Sequence, residues 1–184
     1  YAAGWPVLIP IWGYRVAKEW FTEVEYHQIN LPMHTEQKDF CKSVRKKYRR
    51  LFLWGTVYDV GSLDINGSNK YLFGMLCRYK GIDIVQGKNV DLVGRAMDVL
   101  PTLPKASIII STEMLEHDAT WKESLLAMYK NLEPGGLLVI TAAGEGRHEH
   151  GTEAHSPADS PLTNDYYQNI THERIDFYQL NFSY

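Results

Sequence analysis

Gly61 closes a short β-prone run, and Asp83 stands at the end of the next one. A glycine turn lets backbone approach a ligand closely, and an acid about 20 residues on accepts hydrogen bonds from both hydroxyls of an adenosine ribose. The pair points to an adenosine-containing ligand; the plain alternative is a tight turn beside a solvated acid. The dinucleotide fingerprint G-x-G-x-x-G fails here, because Leu63 and Asn66 stand where its later glycines belong. The phosphate-cradling G-x-x-x-x-G-K-[ST] and the nucleophile elbow G-x-S-x-G are both missing from the chain. A second group lies in residues 146–155 (GRHEHGTEAH), with three histidines and two glutamates. Three readings are open for it. Histidine and carboxylate suit a metal; neutral histidine suits acceptor recognition or general-base work; or the segment is polar surface. His148 and His150 lack the helical i, i+4 spacing and no cysteine assists, so no metal is expected.

These residues need elements to hold them. Helices are expected over 14–27 and from Glu36 to Arg50, with Leu31-Pro32 between them. Thr56–Val60, Lys80–Ile84, Val90–Val93, Ala106–Thr112 and Leu137–Ala142 read as strands. The centres of 106–112 (ASIIIST) and 137–142 (LLVITA) are continuously apolar, as in parallel strands buried on both faces. A short helix is expected at Tyr71–Leu76. A longer one follows Thr120, whose pairing with Glu123 fits a capping box, and Pro134-Gly135-Gly136 stops it. The segment 143–162 has no periodicity, a short helix is expected near Thr163–Arg174, and an aromatic run ends the chain. The alternation implies an α/β fold: a Rossmann-like open, mostly parallel sheet of five or six strands with helices on both faces. Ligands of such sheets bind outside the carboxyl ends of the strands, near the point where strand order reverses. Asp59–Gly67, Asp83-Ile84, Gly94–Asp98 and Ser111–His117 all follow strands.

Composition sets the bounds. The 184 residues carry a formal charge of −3, with 45% hydrophobic and 22% charged residues, values of an ordinary globular chain. One domain over 1–184 is expected: helices in 1–50, a ligand-binding core in 51–143, and a loop with terminal elements in 144–184. No apolar run reaches the ~20 residues of a membrane span. Residues 5–12 (WPVLIPIW) lack a preceding basic flank and hold two prolines, which reads against a signal peptide. Cys41 and Cys77 are lone and far apart, which fits a reducing, cytoplasmic compartment. Residues 42–50 (KSVRKKYRR) hold six basic residues and no acid, but Phe40, Val44 and Tyr48 recur at i, i+4, i+8. A solvated helix face is the reading adopted, and a nucleic-acid partner is not expected.

Residues 59–68 (DVGSLDINGS), 81–84 (GIDI), 110–117 (ISTEMLEH) and 132–138 (LEPGGLL) occur in this order. Together they resemble the class I S-adenosylmethionine-dependent methyltransferases, nearest to the small-molecule "methyltransferase domain" branch, over about residues 55–143. Three positions depart from the family pattern: Leu63 and Ile65 replace the later glycines of its first motif, and Arg95 stands near where an acid often meets the adenine. The resemblance implies S-adenosyl-L-methionine as cofactor and a small-molecule acceptor. It implies that Asp59, Gly61, Ser62 and Asp64 form the turn at the methionine end, and that Asp83 and Ile84 meet the ribose. Ala96 and Met97 would flank the adenine, with Ser111 and Thr112 at the methionine end. His117 would sit at the substrate mouth, or else pack at the sheet rim. His150 and His155 would serve the acceptor side, as candidates for catalysis with His117, and Tyr166 and Tyr167 would line the same pocket or pack on the sheet. The family usually closes its sheet with two more strands, and Asp176–Tyr184 leaves room for one. The alternative function is a module of the same fold that binds the cofactor, or another nucleotide, without turnover.

Overall fold

The structure is a computed structural model, and it describes residues 6–10, 33–144 and 147–170. The described elements are β1 (Pro6–Pro10), α1 (Met33–Lys47), β2 (Trp54–Val60), β3 (Leu76–Asp83), β4 (Leu92–Val93), α2 (Ala96–Val99), β5 (Ala106–Thr112), α3 (Trp121–Lys130) and β6 (Leu132–Thr141). They build one six-stranded sheet in the order β1-β6-β5-β2-β3-β4. Strands β2 to β6 run parallel, and β1 pairs antiparallel with β6, Val7 opposite Ile140.

Two apolar layers flank this sheet. Ile109, Leu138 and Ile140 face α3 through Trp121, Leu125 and Met128. Ile108, Ile110, Leu137 and Val139 face the other way, onto Cys41 and Val44 of α1 and onto Phe52. Residues 106–111 of β5 are therefore all buried, which is why the centre of the strand, Ile108–Ile110, is apolar without alternation. On α1 the stripe Phe40, Val44, Tyr48 packs inward while Lys42, Lys46, Lys47, Arg49 and Arg50 are exposed.

Several elements differ from the sequence expectation. The helix expected at Tyr71–Leu76 is a single 3-10 turn, Asn69–Leu72, capped by the Ser68 hydroxyl accepting from the Lys70 amide. Strand β3 then starts at Leu76, because Trp54–Val60 of β2 offers a full parallel ladder to pair with. Strand β6 begins at Leu132, ahead of the Pro134-Gly135-Gly136 helix stop, across an irregularity in its register with β5. Thr120 does not cap α3 with its side chain. Asp118 does that work: it accepts from the Thr120 amide and hydroxyl and from the Ser124 hydroxyl, at 2.8, 2.7 and 2.5 Å. No helix occurs over 163–170. The helix expected over 14–27, and the residues 176–184 expected to form a last strand, lie outside the described residues. No described helix is long and apolar enough to cross a membrane.

Candidate active site

Chain order reverses at β2, with β3 and β4 on one side of it and β5 and β6 on the other. A cavity of about 500 Å³ opens there, at the carboxyl ends of the strands. Its floor is the turn after β2. Gly61 has φ +78°, and a Cβ there would lie 2.6 Å from the Met114 side chain, so only glycine fits. The Gly61 and Ser62 amides both donate to the Ile82 carbonyl, which holds the turn against β3.

Beneath the turn runs a buried polar network. Asn89 donates to the Tyr79 hydroxyl at 2.8 Å, and Tyr79 donates to Asp59 at 2.5 Å. Asn69 donates to Thr112 at 2.9 Å and, more weakly, to Asp59 at 3.4 Å. Asp59 is 1% exposed, and that burial pushes its carboxyl up to about 7, against the pull of its hydrogen bonds from Tyr79 and Asn69.

Asp83 lines the cavity, but both its carboxylate oxygens already accept backbone amides, from Leu63 and Val85, each at 3.0 Å. Each oxygen keeps a further lone pair for a ligand hydroxyl. Asp64 turns away to pair with Lys88 at 2.8 Å and to accept from the Gly67 amide. It shapes the turn from outside. Ile84, Ala96 and Thr112 lie on the wall; Met97 and Ser111 do not, and the buried Ser111 and Ser62 hydroxyls lack hydrogen-bond partners.

The opposite wall corrects the expectation for residues 144–155. That wall is built by 159–163 with Asp165 and Tyr166. His155 is exposed and stands off the cavity, its backbone pairing with Thr152. His150 lies behind the wall, with its ring 5.1 Å from His117 and 5.1 Å from Tyr167. Only His117, of the three candidate histidines, lines the cavity, and burial pushes it down to about 4, so it is neutral at neutral pH.

The sequence reading missed Asn69, Tyr79 and Leu162, and it gave Glu113 and Met114 no role of their own. Glu113 and Leu162, at φ +53° and +69°, are non-glycine residues in left-handed backbone, and both line the cavity. Such strain persists only where surrounding structure imposes it, and it collects at ligand sites. Nothing in a residue type announces it. Residues 66–68 (NGS), just before Asn69, read from sequence as the start of the short helix expected at Tyr71–Leu76.

No family model matches the chain, and no curated protein matches it. Among solved structures, a SAM-dependent methyltransferase from Archaeoglobus fulgidus superposes with a TM-score of 0.51 at 17% identity, over 79% of this chain and 69% of that one. A precorrin-8w decarboxylase from Methanobacterium thermoautotrophicum matches at 22% identity with a TM-score of 0.42; the match covers 54% of this chain and 62% of that protein's length. The sheet order, the glycine turn at the reversal point and the first of these neighbours show the class of fold: a Rossmann-like α/β fold, similar to that of a SAM-dependent methyltransferase.

Proposed function

We propose that this chain binds S-adenosylmethionine in the cavity at the reversal point and transfers its methyl group to a small-molecule acceptor. The observation that carries this reading is the placement of one glycine turn and two carboxylates, Asp59 and Asp83, around a single cavity at the ends of β2 and β3. The residues fit such a ligand. Gly61 turns the backbone in a left-handed conformation at the cavity floor, the Ser62 hydroxyl is buried with no partner, and Asp83 retains acceptor capacity.

When bound, the cofactor supplies a methyl group already made electrophilic by its sulfonium. The protein's task is then orientation and exclusion of water, which together supply ~7–11 kcal/mol in well-aligned reactions. Asp83 would hold the ribose, Ala96 and Arg95 the adenine end, and Asp59 with Thr112 the methionine end. His117, on the cavity wall, would orient the acceptor through a hydrogen bond from its ring. His150 would hold the His117 ring through edge-to-face packing, and His155 would take no part.

Calorimetric titration with S-adenosylmethionine tests the binding, and release of S-adenosylhomocysteine with candidate acceptors tests turnover. Asp83→Ala removes ribose acceptors and also frees the Leu63 amide, so Asp83→Asn, which keeps an acceptor oxygen, is the sharper variant. Weakening of about 1.5–3 kcal/mol is expected in Asp83→Ala, the size of a lost charge-assisted hydrogen bond, and less in Asp83→Asn. No binding heat in the folded wild type would end the reading; binding without turnover over a broad acceptor panel would favour the non-catalytic module.

A further inference from the structure

We propose that Glu116, His117 and His150 form a binding site for one divalent first-row transition metal, with zinc as the first candidate, behind the acceptor-side wall of the cavity. One ligand atom from each of the three lies within 4.8 Å of the other two. Two of these side chains are in an electrostatic predicament that an ion resolves. Glu116 is 0% exposed and its Oε2 has no hydrogen-bond partner; His117 is 8% exposed and its Nδ1 has none either. A buried polar atom left unpaired is costly, and a buried carboxylate oxygen more so. Two unpaired buried atoms on residues of one such cluster are what metal ligands look like before the ion is counted.

The surrounding contacts are those of an outer shell. Glu116 Oε1 accepts the Ala143 amide at 3.1 Å, which fixes the carboxylate and leaves Oε2 free. His150 Nδ1 lies 3.1 Å from the His148 carbonyl; with the proton on Nδ1, the Nε2 lone pair is available for ligation. Tyr167 packs its ring against both imidazoles, at 5.4 and 5.1 Å, and donates its hydroxyl to the same His148 carbonyl. Gly151 follows His150 in left-handed backbone, φ +64°, and a Cβ there would sit 2.8 Å from His117 Cε1. Glycine is what lets the His150 segment close onto His117.

Two histidines and one carboxylate are a donor set for zinc or ferrous iron, not for magnesium or calcium. Tetrahedral ligation at ~2.0–2.2 Å brings donor atoms to roughly 3.3–3.5 Å apart, a closure that side-chain rotation supplies. The ion would tie the segment 147–170 to the turn after β5. The loop histidines alone argued against metal; the ligands come instead from two segments more than thirty residues apart in the chain. Metal binding is read on the protein alone, so its outcome is independent of the cofactor reading.

The test uses the full chain without a polyhistidine tag, stripped with chelator and titrated with Co²⁺ as a spectroscopic probe and with Zn²⁺ in competition. About one equivalent is expected, with visible Co²⁺ bands of low-coordinate N/O ligation and a raised melting temperature with Zn²⁺. His150→Ala and Glu116→Gln should each weaken binding more than ~100-fold, beyond the loss typical of outer-shell changes. His148→Ala and His155→Ala should bind as wild type. Absent Co²⁺ bands with substoichiometric zinc in the wild type overturn the proposal. So does His150→Ala binding normally, or His148→Ala or His155→Ala losing the metal. Should Glu116→Gln not fold, the half-buried His150 variant decides alone.

Discussion

Burial holds the Asp59 carboxyl at about 7, even though Tyr79 and Asn69 donate hydrogen bonds to it. A folded-state value above the unfolded one means that the native protein binds more protons than the unfolded chain between about pH 4 and 7. The contribution of Asp59 to stability therefore falls as pH rises through that window, and is level above it. Asp59→Asn removes the charge and keeps the acceptor for Tyr79. The variant should match the wild type near pH 4 and exceed its stability by as much as about 4 kcal/mol near pH 8. Urea melts at the two pH values give the comparison. A gap that does not widen with pH would mean that Asp59 is solvated in the native state. Burial also pushes the Cys41 thiol of α1 up to about 12, which makes it an inert packing residue.

At the scale of elements, α3 depends on Asp118, three residues before its first residue, rather than on Thr120. The carboxylate takes the Thr120 amide and hydroxyl and the Ser124 hydroxyl, closing the first turn. Asp118→Ala should cost about 1–2 kcal/mol, the upper range for a lost cap. Glu123→Ala should cost no more than about 0.5 kcal/mol, since the expected capping-box contact is not made. Equal losses in equilibrium unfolding would restore the capping box. The helix stop at Pro134-Gly135-Gly136 has a related lesson. Gly135, at φ +78°, turns the chain so that Leu132 still pairs with Ala106 before the main ladder begins at Leu137.

For the molecule as a whole, the sheet is a central layer with apolar cover on both sides. Ile109 packs on the α3 layer and Ile110 on the α1 layer, and both are fully buried. Ile109→Ala and Ile110→Ala should each cost about 2–5 kcal/mol, the range for a buried branched residue cut to alanine. Leu53→Ala, at 42% exposure, should stay within about 0.5 kcal/mol. A large cost at only one of the two isoleucines would mean a sheet covered on one face.

Read alone, the chain already carries the class of fold and the end of the sheet at which the cavity opens. The centres of the runs ASIIIST and LLVIT are apolar at successive positions, as a strand buried on both faces requires. Gly61 and Asp83 were legible because a left-handed turn and a carboxylate at a strand end are local facts, carried by residue type and spacing. What only tertiary structure decided were pairings across distant segments. Whether Lys70–Leu76 makes helix or leads into strand depends on the ladder β2 offers, not on its own propensity. The partners of Asp59 come from β3 and from the 3-10 turn, so its burial could not be read from its neighbours. The cavity wall falls on 159–166 rather than 144–155 because the Gln168 and Ile170 amides donate to the Glu116 and Ala143 carbonyls, folding that segment back over the sheet end. The same folding sets His150 against His117 and leaves His155 in water. Of the three histidines of one loop, His150 is thus half-buried against His117 while His148 and His155 are exposed, since side-chain chemistry is written in the sequence and its surroundings are supplied by packing.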